Sequence, residues 1–361
     1  MLMPADIHLL RPSELTPDHW KCWEALQAAE PAYASPFFHP KFTRAVAAVR
    51  RDVEVTLVGD PTCPVGFFPF QRGRLHLGRP IGGKLSDYHG PLLAAGTAFD
   101  PQGWLRHCRL ASWDFDHLVC STDAFGPWIV AHAPSPQLDL SKGFAAYVQT
   151  MRQAGNDSIL RQGQKTRKMV REVGTLRFEY DCRSEAPWQA LVAWKSAQLR
   201  ASGLPDLFAF EWVNNLFVHL REESGPDFSA PLTVLWAGEQ IAAVLLSLRC
   251  RGVLHSWFTA YNPELARYSP GIALFLALAE QAPNLGIDTI DLGRGTERYK
   301  FSLASRTATV AEGSLTVLSV GTALRSAWRH TRDWAARSPL TRRLAEPSGW
   351  LAPLRRWWAY S

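Results

Sequence analysis

The chain has 361 residues, 47% of them apolar and 20% charged, with 39 lysines and arginines against 33 acids for a net charge of +6. That length and composition fit a folded protein with room for two domains, and no apolar run approaches the roughly 20 residues of a membrane span. The whole excess charge sits in residues 321–361, where eight arginines face only Asp333 and Glu346; the rest sums to zero, which excludes a general DNA-coating surface.

In chain order, helical spacing is read at 17–30 and 40–50, followed by strands VEVTLVG and VGFFPFQRG around the turn DPTCP. A Gly- and Pro-punctuated stretch, RLHLGRPIGGKLSDYHGPLL, leads to a helix near 100–111 and a strand at DHLVCS. Three prolines within GPWIVAHAPSPQLDL (126–140) read as a connection between lobes. A Ser141-capped helix (SKGFAAYVQTM) and a strongly basic one (SILRQGQKTRKMVREVG) follow. Then come the strand TLRFEY, helices at 185–202 and 210–223, and the hairpin-linked strands LTVLWAG, QIAAVLLSLRC and VLHSWFTAY. The apolar helix GIALFLALAEQAPNLG crosses to the strand IDTIDLG, which makes that strand parallel to VLHSWFTAY. A final strand pair, TATVAEG and SLTVLSV, is expected to close the lobe. The expected class is α/β (α+β), with mixed, mostly antiparallel sheets flanked by helices. The expected division is a lobe at 1–138, a second at 139–320, and a basic Trp/Arg-rich tail at 321–361.

The six cysteines (Cys22, Cys63, Cys108, Cys120, Cys182, Cys250) are scattered without metal-ligand spacing, so reduced thiols and no metal are expected. The start MLMPADIHLLRPSEL lacks a basic n-region and a cleavage site, which points to the cytoplasm.

The order strand, two helices, three antiparallel strands, helix, parallel strand resembles the GNAT acetyltransferase fold. The motifs LSDYHGPLL, LRQGQKTRKMVREVG, YNPELARYSPGIALF and DLGRGTERYKFSLA, spread over most of residues 30–320, resemble GNAT-like acetyltransferases of the cellulose-biosynthesis (CelD-like, BioF2-like) family, which is related to FemAB-type transferases. The resemblance implies two tandem GNAT-like lobes and acetyl-CoA as co-substrate. In the Q/R-x-x-G-x-G/A phosphate loop of standard GNAT enzymes, aligned here on Gly271 and Ala273, Tyr268 takes the Gln/Arg position and Pro270 removes an amide donor. The donor is therefore written as acetyl-CoA or a related thioester.

From the residues themselves, Ser269 is expected to cap the helix, with Pro270 at its first position and the amides of Gly271, Ile272 and Ala273 turned to an anion. The alternative is a plain helix start. Tyr261, at its strand's end, is a candidate contact for the acyl group. Asp291 ends a strand at the carboxyl edge, where open α/β sheets place ligands. Beyond it, Glu297 is a candidate general base, Tyr299 an acid for the leaving thiolate, and Arg294 or Lys300 a ligand for phosphate or a sugar acid. The plainer alternative makes Glu297 and Lys300 an exposed i,i+3 pair and Asp291 a turn cap. His255 and Trp257 share one face of their strand and Phe258 the other.

In the first lobe Asp87, Tyr88 and His89 form a candidate acceptor pocket, or simply a loop with a turn-forming Asp. Arg161, Lys165 and Lys168 line one face of the basic helix, suited to an anionic carrier or tRNA, or merely solvated. In the tail, Trp328, Trp334, Trp350, Trp357 and Trp358 interleave with arginines, as in a headgroup contact at the inner face of a membrane; packing back on the lobes is the alternative. These features lead to an N- or O-acyltransferase acting by direct attack. Family resemblance alone supplies a small-molecule or glycan-precursor acceptor, such as a cell-envelope polysaccharide precursor. Two alternatives remain: a FemAB-like aminoacyl-tRNA-dependent transferase, and a non-catalytic partner of a polysaccharide-synthesis complex.

Overall fold

A computed structural model of the chain describes residues 6–119 and 123–316. The first half contains β1 (Ile7–Leu10), α1 (Pro17–Ala29), α2 (Pro40–Val49), β2 (Val53–Asp60), β3 (Cys63–Arg72), β4 (Leu77–Arg79), β5 (Leu92–Leu93), α3 (Pro101–His107), β6 (Ser112–Leu118) and β7 (Ile129–Asp139). In the second half lie α4 (Gly143–Gln153), α5 (Ser158–Glu172), β8 (Leu176–Glu179), α6 (Glu185–Ala201), α7 (Glu211–Glu222), β9 (Leu232–Ala237) and β10 (Gln240–Cys250). β11 (Val253–Tyr261), α8 (Pro270–Leu285), β12 (Thr289–Asp291), α9 (Arg298–Leu303) and β13 (Arg306–Thr316) complete it.

The halves repeat one plan: a strand, two helices, a meander, a crossover helix and a parallel strand. β4 pairs parallel with β6 across α3 in the first, and β11 pairs parallel with β12 across α8 in the second. The described strands form one mixed sheet in the order β1-β2-β3-β4-β6-β13-β7-β12-β11-β10-β9-β8, with β5 on β3. Each half ends by lending its last strand to the other. β7 pairs antiparallel with β12, while β13 enters between β6 and β7 and pairs antiparallel with both.

Alternation in the central strands explains why helices cover both faces. Along β10, Val244, Leu246 and Leu248 join a core under α1, α2, α6 and α7, while Ala243 and Leu245 join another under α4, α5 and α8. α8 is apolar nearly all round because it packs on the sheet with α4 and α5 against its sides; Pro270 opens it and Gly286, at φ +65°, closes it. The first of these cores belongs to both halves. Phe37 and Phe42 of the first half meet Trp257 of the second edge-on, and Phe217 packs on Trp257 from α7.

Several expectations are corrected. Residues 126–140 are not a connection: β7 is an inner strand despite Pro134 and Pro136. Both proline carbonyls face the irregular segment after β12, accepting from Gly295 and Leu292. A strand residue's N–H and C=O point the same way, so the missing donors face a side that supplies its own. The expected last strand pair is the single strand β13, which bends at Glu312/Gly313 instead of turning back. A Cβ on Gly313 would lie 2.0 Å from the Trp128 carbonyl, so only glycine fits there. The helix near 100–111 ends at His107, and the next strand starts earlier, at Ser112. Ser141 does not cap α4; its hydroxyl donates to Asp139. Five cysteines are described, all free, and Cys120 and the tail lie outside the described residues. No described helix is long and apolar enough to cross a membrane, and no described cluster of His, Cys, Asp and Glu could hold a metal.

Candidate active site

The parallel pairing of β11 with β12 covers three residues and stops at His255 opposite Asp291. β11 runs on to Tyr261 beside β10 alone, so from Ser256 onward its other edge is unpaired. A bulge at Trp257 increases the bend there. It also overturns the expected facing, because Trp257 and Phe258 both reach Phe217. The first turn of α8 stands beside the open edge. A side chain on Gly271 would begin 3.8 Å from the Tyr261 ring and 3.9 Å from the Thr259 methyl. Tyr261 is exposed at this groove.

The loop before α8 is held from α5. Gln162 donates to the carbonyls of Tyr268 (3.0 Å) and Ser269 (3.4 Å), and Lys165 donates to the Ser269 hydroxyl at 2.9 Å. Tyr268 is buried, bonded through its hydroxyl to Glu172 at 2.6 Å, with the Arg267 guanidinium over its ring. Ser269 stands in the left-handed region, at φ +54°. Its side chain does not cap α8, because its own carbonyl takes the amides of Ile272 (3.1 Å) and Ala273 (3.2 Å). Of the three amides expected to face an anion, only that of Gly271 lacks a main-chain acceptor among the described residues. A tight first turn points the other two donors inward.

At the base of the groove two carboxylates flank one imidazole. His255 is fully buried; its Nε2 lies 2.8 Å from Asp87 Oδ2 and its Nδ1 3.7 Å from Asp291 Oδ1. Burial pushes the Asp87 carboxyl up. The hydrogen bond to His255 and the charges of His255, His117 and Lys300 outweigh it, leaving the group below its ordinary value. Asp291 is buried and accepts from Tyr88 Oη (2.6 Å), Gln137 Nε2 (2.7 Å), Gly293 N (2.8 Å) and Ser135 Oγ (3.1 Å). With both oxygens committed, Asp291 is an anchor and not a group free to act on substrate. Tyr88 is likewise consumed, its phenol pushed well above its ordinary value by burial and by Asp291. His89 turns away from the groove: its Nε2 accepts the amides of Asp116 (3.2 Å) and His117 (3.1 Å), and burial lowers its pKa to about 3. Of the first-lobe triplet only Asp87, a quarter exposed, reaches the cleft.

After β12 the chain turns through Gly293, at φ +73°, whose open Cα faces Asp87 and His255. Lys300 is buried and donates to the carbonyls of Arg294 (2.9 Å) and Gly293 (3.3 Å), holding this turn from within. Arg294 reaches across to the Asp116 carbonyl and the Glu312 carboxylate. Both cations therefore hold protein groups, where free phosphate ligands were expected. Glu297 keeps a half-exposed carboxylate, 3.5 Å from Lys300 Nζ. Tyr299 stacks on Phe275 of α8, its pKa raised to about 12 by burial and by Glu297. Sequence reasoning passed over Lys195 of α6, which donates to the Thr259 carbonyl beside the open edge at 3.4 Å. It follows buried Pro187 and Leu191 at i+8 and i+4, and that inward spacing is the signal that marks it.

Comparisons with known proteins agree with this architecture. Residues 157–301 match the model of the acetyltransferase (GNAT) domain. The C-terminal domain of a protein assigned as a lysylphosphatidylglycerol synthetase from Agrobacterium fabrum superposes with a TM-score of 0.53 at 12% identity, over 86% of this chain and 95% of that one. FemX gives 0.49 at 11% identity, over 86% and 97% of the two chains. A tandem GNAT protein from the clavulanic acid biosynthesis pathway gives 0.48 at 11%, over 87% and 100%. Among curated proteins none matches. The two halves share one strand–helix plan, and residues 157–301 of the second match the acetyltransferase (GNAT) domain model.

Proposed function

We propose that the groove between β11 and α8 carries out acyl transfer from a thioester such as acetyl-CoA to an amine or hydroxyl, by direct attack. One observation carries this reading: β11 continues for six residues past its last contact with β12, with the first turn of α8 alongside. A thioester carbonyl laid along the open edge can accept main-chain N–H groups as charge develops on its oxygen. The donor's diphosphate would meet the Gly271 amide, with Lys165 and Arg161 of α5 beside it.

The acceptor would enter from the Asp87 side. Its nitrogen or oxygen attacks the carbonyl carbon, its proton passes to Glu297, and the C–S bond breaks. The departing thiolate takes the Tyr299 proton, which the phenolate then regains from solvent, leaving an amide or ester and a free thiol. Glu297 suits the base role because its carboxylate is half-exposed and can release the proton to solvent. The family resemblance makes a sugar or cell-envelope polysaccharide precursor the acceptor to try first. Peripheral membrane contact through the tail belongs to the same reading.

Calorimetry with acetyl-CoA tests it. A saturating donor at about 100-fold over its Kd should stabilise the fold by about 2.7 kcal/mol, and added amines should release CoA. No binding of CoA or acetyl-CoA would reject the reading. A second reading, an aminoacyl-tRNA donor, is favoured by the exposed stripe of Arg161, Lys165, Lys168 and Arg171 beside the same loop. Binding of tRNA that weakens steeply with salt, without CoA binding, would select it.

A further inference from the structure

Lys195 is a cation whose partners do not match its charge. It projects from α6 toward the open edge of β11 and is half-buried. Two of its three N–H groups go to neutral acceptors, the Gln198 side chain at 3.1 Å and the Thr259 carbonyl at 3.4 Å. A third has no acceptor among the described residues. The charged neighbours that act on it are Lys300, which is buried, and Glu297, which already lies 3.5 Å from Lys300. Burial and the Lys300 charge lower its pKa, and Glu297 offsets only part. A half-buried ammonium with an open donor and another ammonium acting on it gains from a ligand that supplies negative charge.

We infer that Lys195 binds an anionic group of the acceptor, so that the substrate class is an amine or alcohol bearing a carboxylate or phosphate close to its nucleophile. The inference rests on the acyl-transfer reading, since it places the acceptor in that same cleft. Thr259 lies on the edge assigned to the thioester carbonyl, so an anion at Lys195 orients the nucleophile along β11. Asp87 stands on the other side of the cleft, and its carboxylate would repel the same group, which fixes the acceptor's direction.

The test uses acetyl-CoA with two amine pairs: glycine against glycinamide, and phosphoethanolamine against ethanolamine. A charge-assisted hydrogen bond predicts that the better anionic member exceeds its neutral partner in kcat/KM by about tenfold or more. Which pair shows the preference distinguishes carboxylate from phosphate. Lys195→Met keeps the aliphatic stem and should collapse that ratio, whereas a purely structural lysine would lower both members alike. Binding of N-acetylglycine and N-acetylglycinamide, and of N-acetylated phosphoethanolamine and ethanolamine, followed by thermal shift in both proteins, gives a readout independent of turnover. CoA binding without turnover of any amine would count against the acyl-transfer reading. Equal turnover or equal binding of anionic and neutral members, or binding of none of the four products, would overturn the role of Lys195. So would a preference that survives in Lys195→Met.

Discussion

Replacing Asp291 by Asn should destabilise the protein severely, although the change keeps the side chain's shape. The carboxylate is 2% exposed and takes four hydrogen bonds, two on each oxygen. An amide cannot accept at both positions. With its NH2 in place of Oδ1 it opposes the Gly293 N–H, which cannot rotate away. With its NH2 in place of Oδ2 it opposes Gln137, whose own oxygen is held by Arg306 at 3.0 Å. One bond is lost in either orientation and the survivors lose their charge assistance. Relief of burying a charge offsets part of this, leaving a loss of about 2–4 kcal/mol. Urea unfolding of Asp291→Asn, Tyr88→Phe and the double variant measures it. The two single losses should not add, because each single substitution disrupts the same charge-assisted Tyr88–Asp291 bond. A loss below about 1 kcal/mol, or strict additivity, would refute the anchoring role.

Stability should also depend on pH through two buried histidines. Burial holds His89 at a pKa of about 3; burial, together with the charges of Arg251 and Lys41, holds His39 at about 4. Both stay neutral in the folded state, while the unfolded chain protonates near pH 6.5. Stability is therefore complete above 6.5 and falls below it, by about 1.4 kcal/mol per histidine for each pH unit. His89→Gln, which keeps an acceptor for the two amides, should remove about half of that slope between pH 6 and 4.5 in denaturant titrations. Glu297→Gln should lower kcat by about 10²–10⁴ with little change in acetyl-CoA affinity; an unchanged rate would remove Glu297 from the chemistry. Gly313→Ala should fail to fold or lose several kcal/mol by circular dichroism melting, since its Cβ has no space.

The second-half core was readable because each element carries its own local signal. β9 to β11 alternate about short turns, and α8 has a proline at its start and a glycine at its end. β7 was not readable. Its prolines speak against an inner strand, and only the course of the chain after β12 shows that no donor is needed there. β13 shows the same limit: Glu312-Gly313 reads as a turn, but the strands on either side hold it to a bend within one strand.

The site divides along the same line. Glycines, the helix start and the acids after β12 mark the region in sequence. Which acids are free is decided by partners far away, as with Tyr88 and Asp291, which lie 203 positions apart. Arg294 and Lys300 looked like ligand-binding cations and are occupied by main-chain carbonyls. Lys195 lacked a motif, and its importance comes from the strand edge it faces.

The most direct test of the central claim is a crystal structure with acetyl-CoA bound. The account places the diphosphate against the Gly271 amide and Lys165, and the thioester carbonyl on β11 between Ser256 and Tyr261. A donor bound elsewhere, or a groove closed between β11 and α8 when it binds, would contradict it.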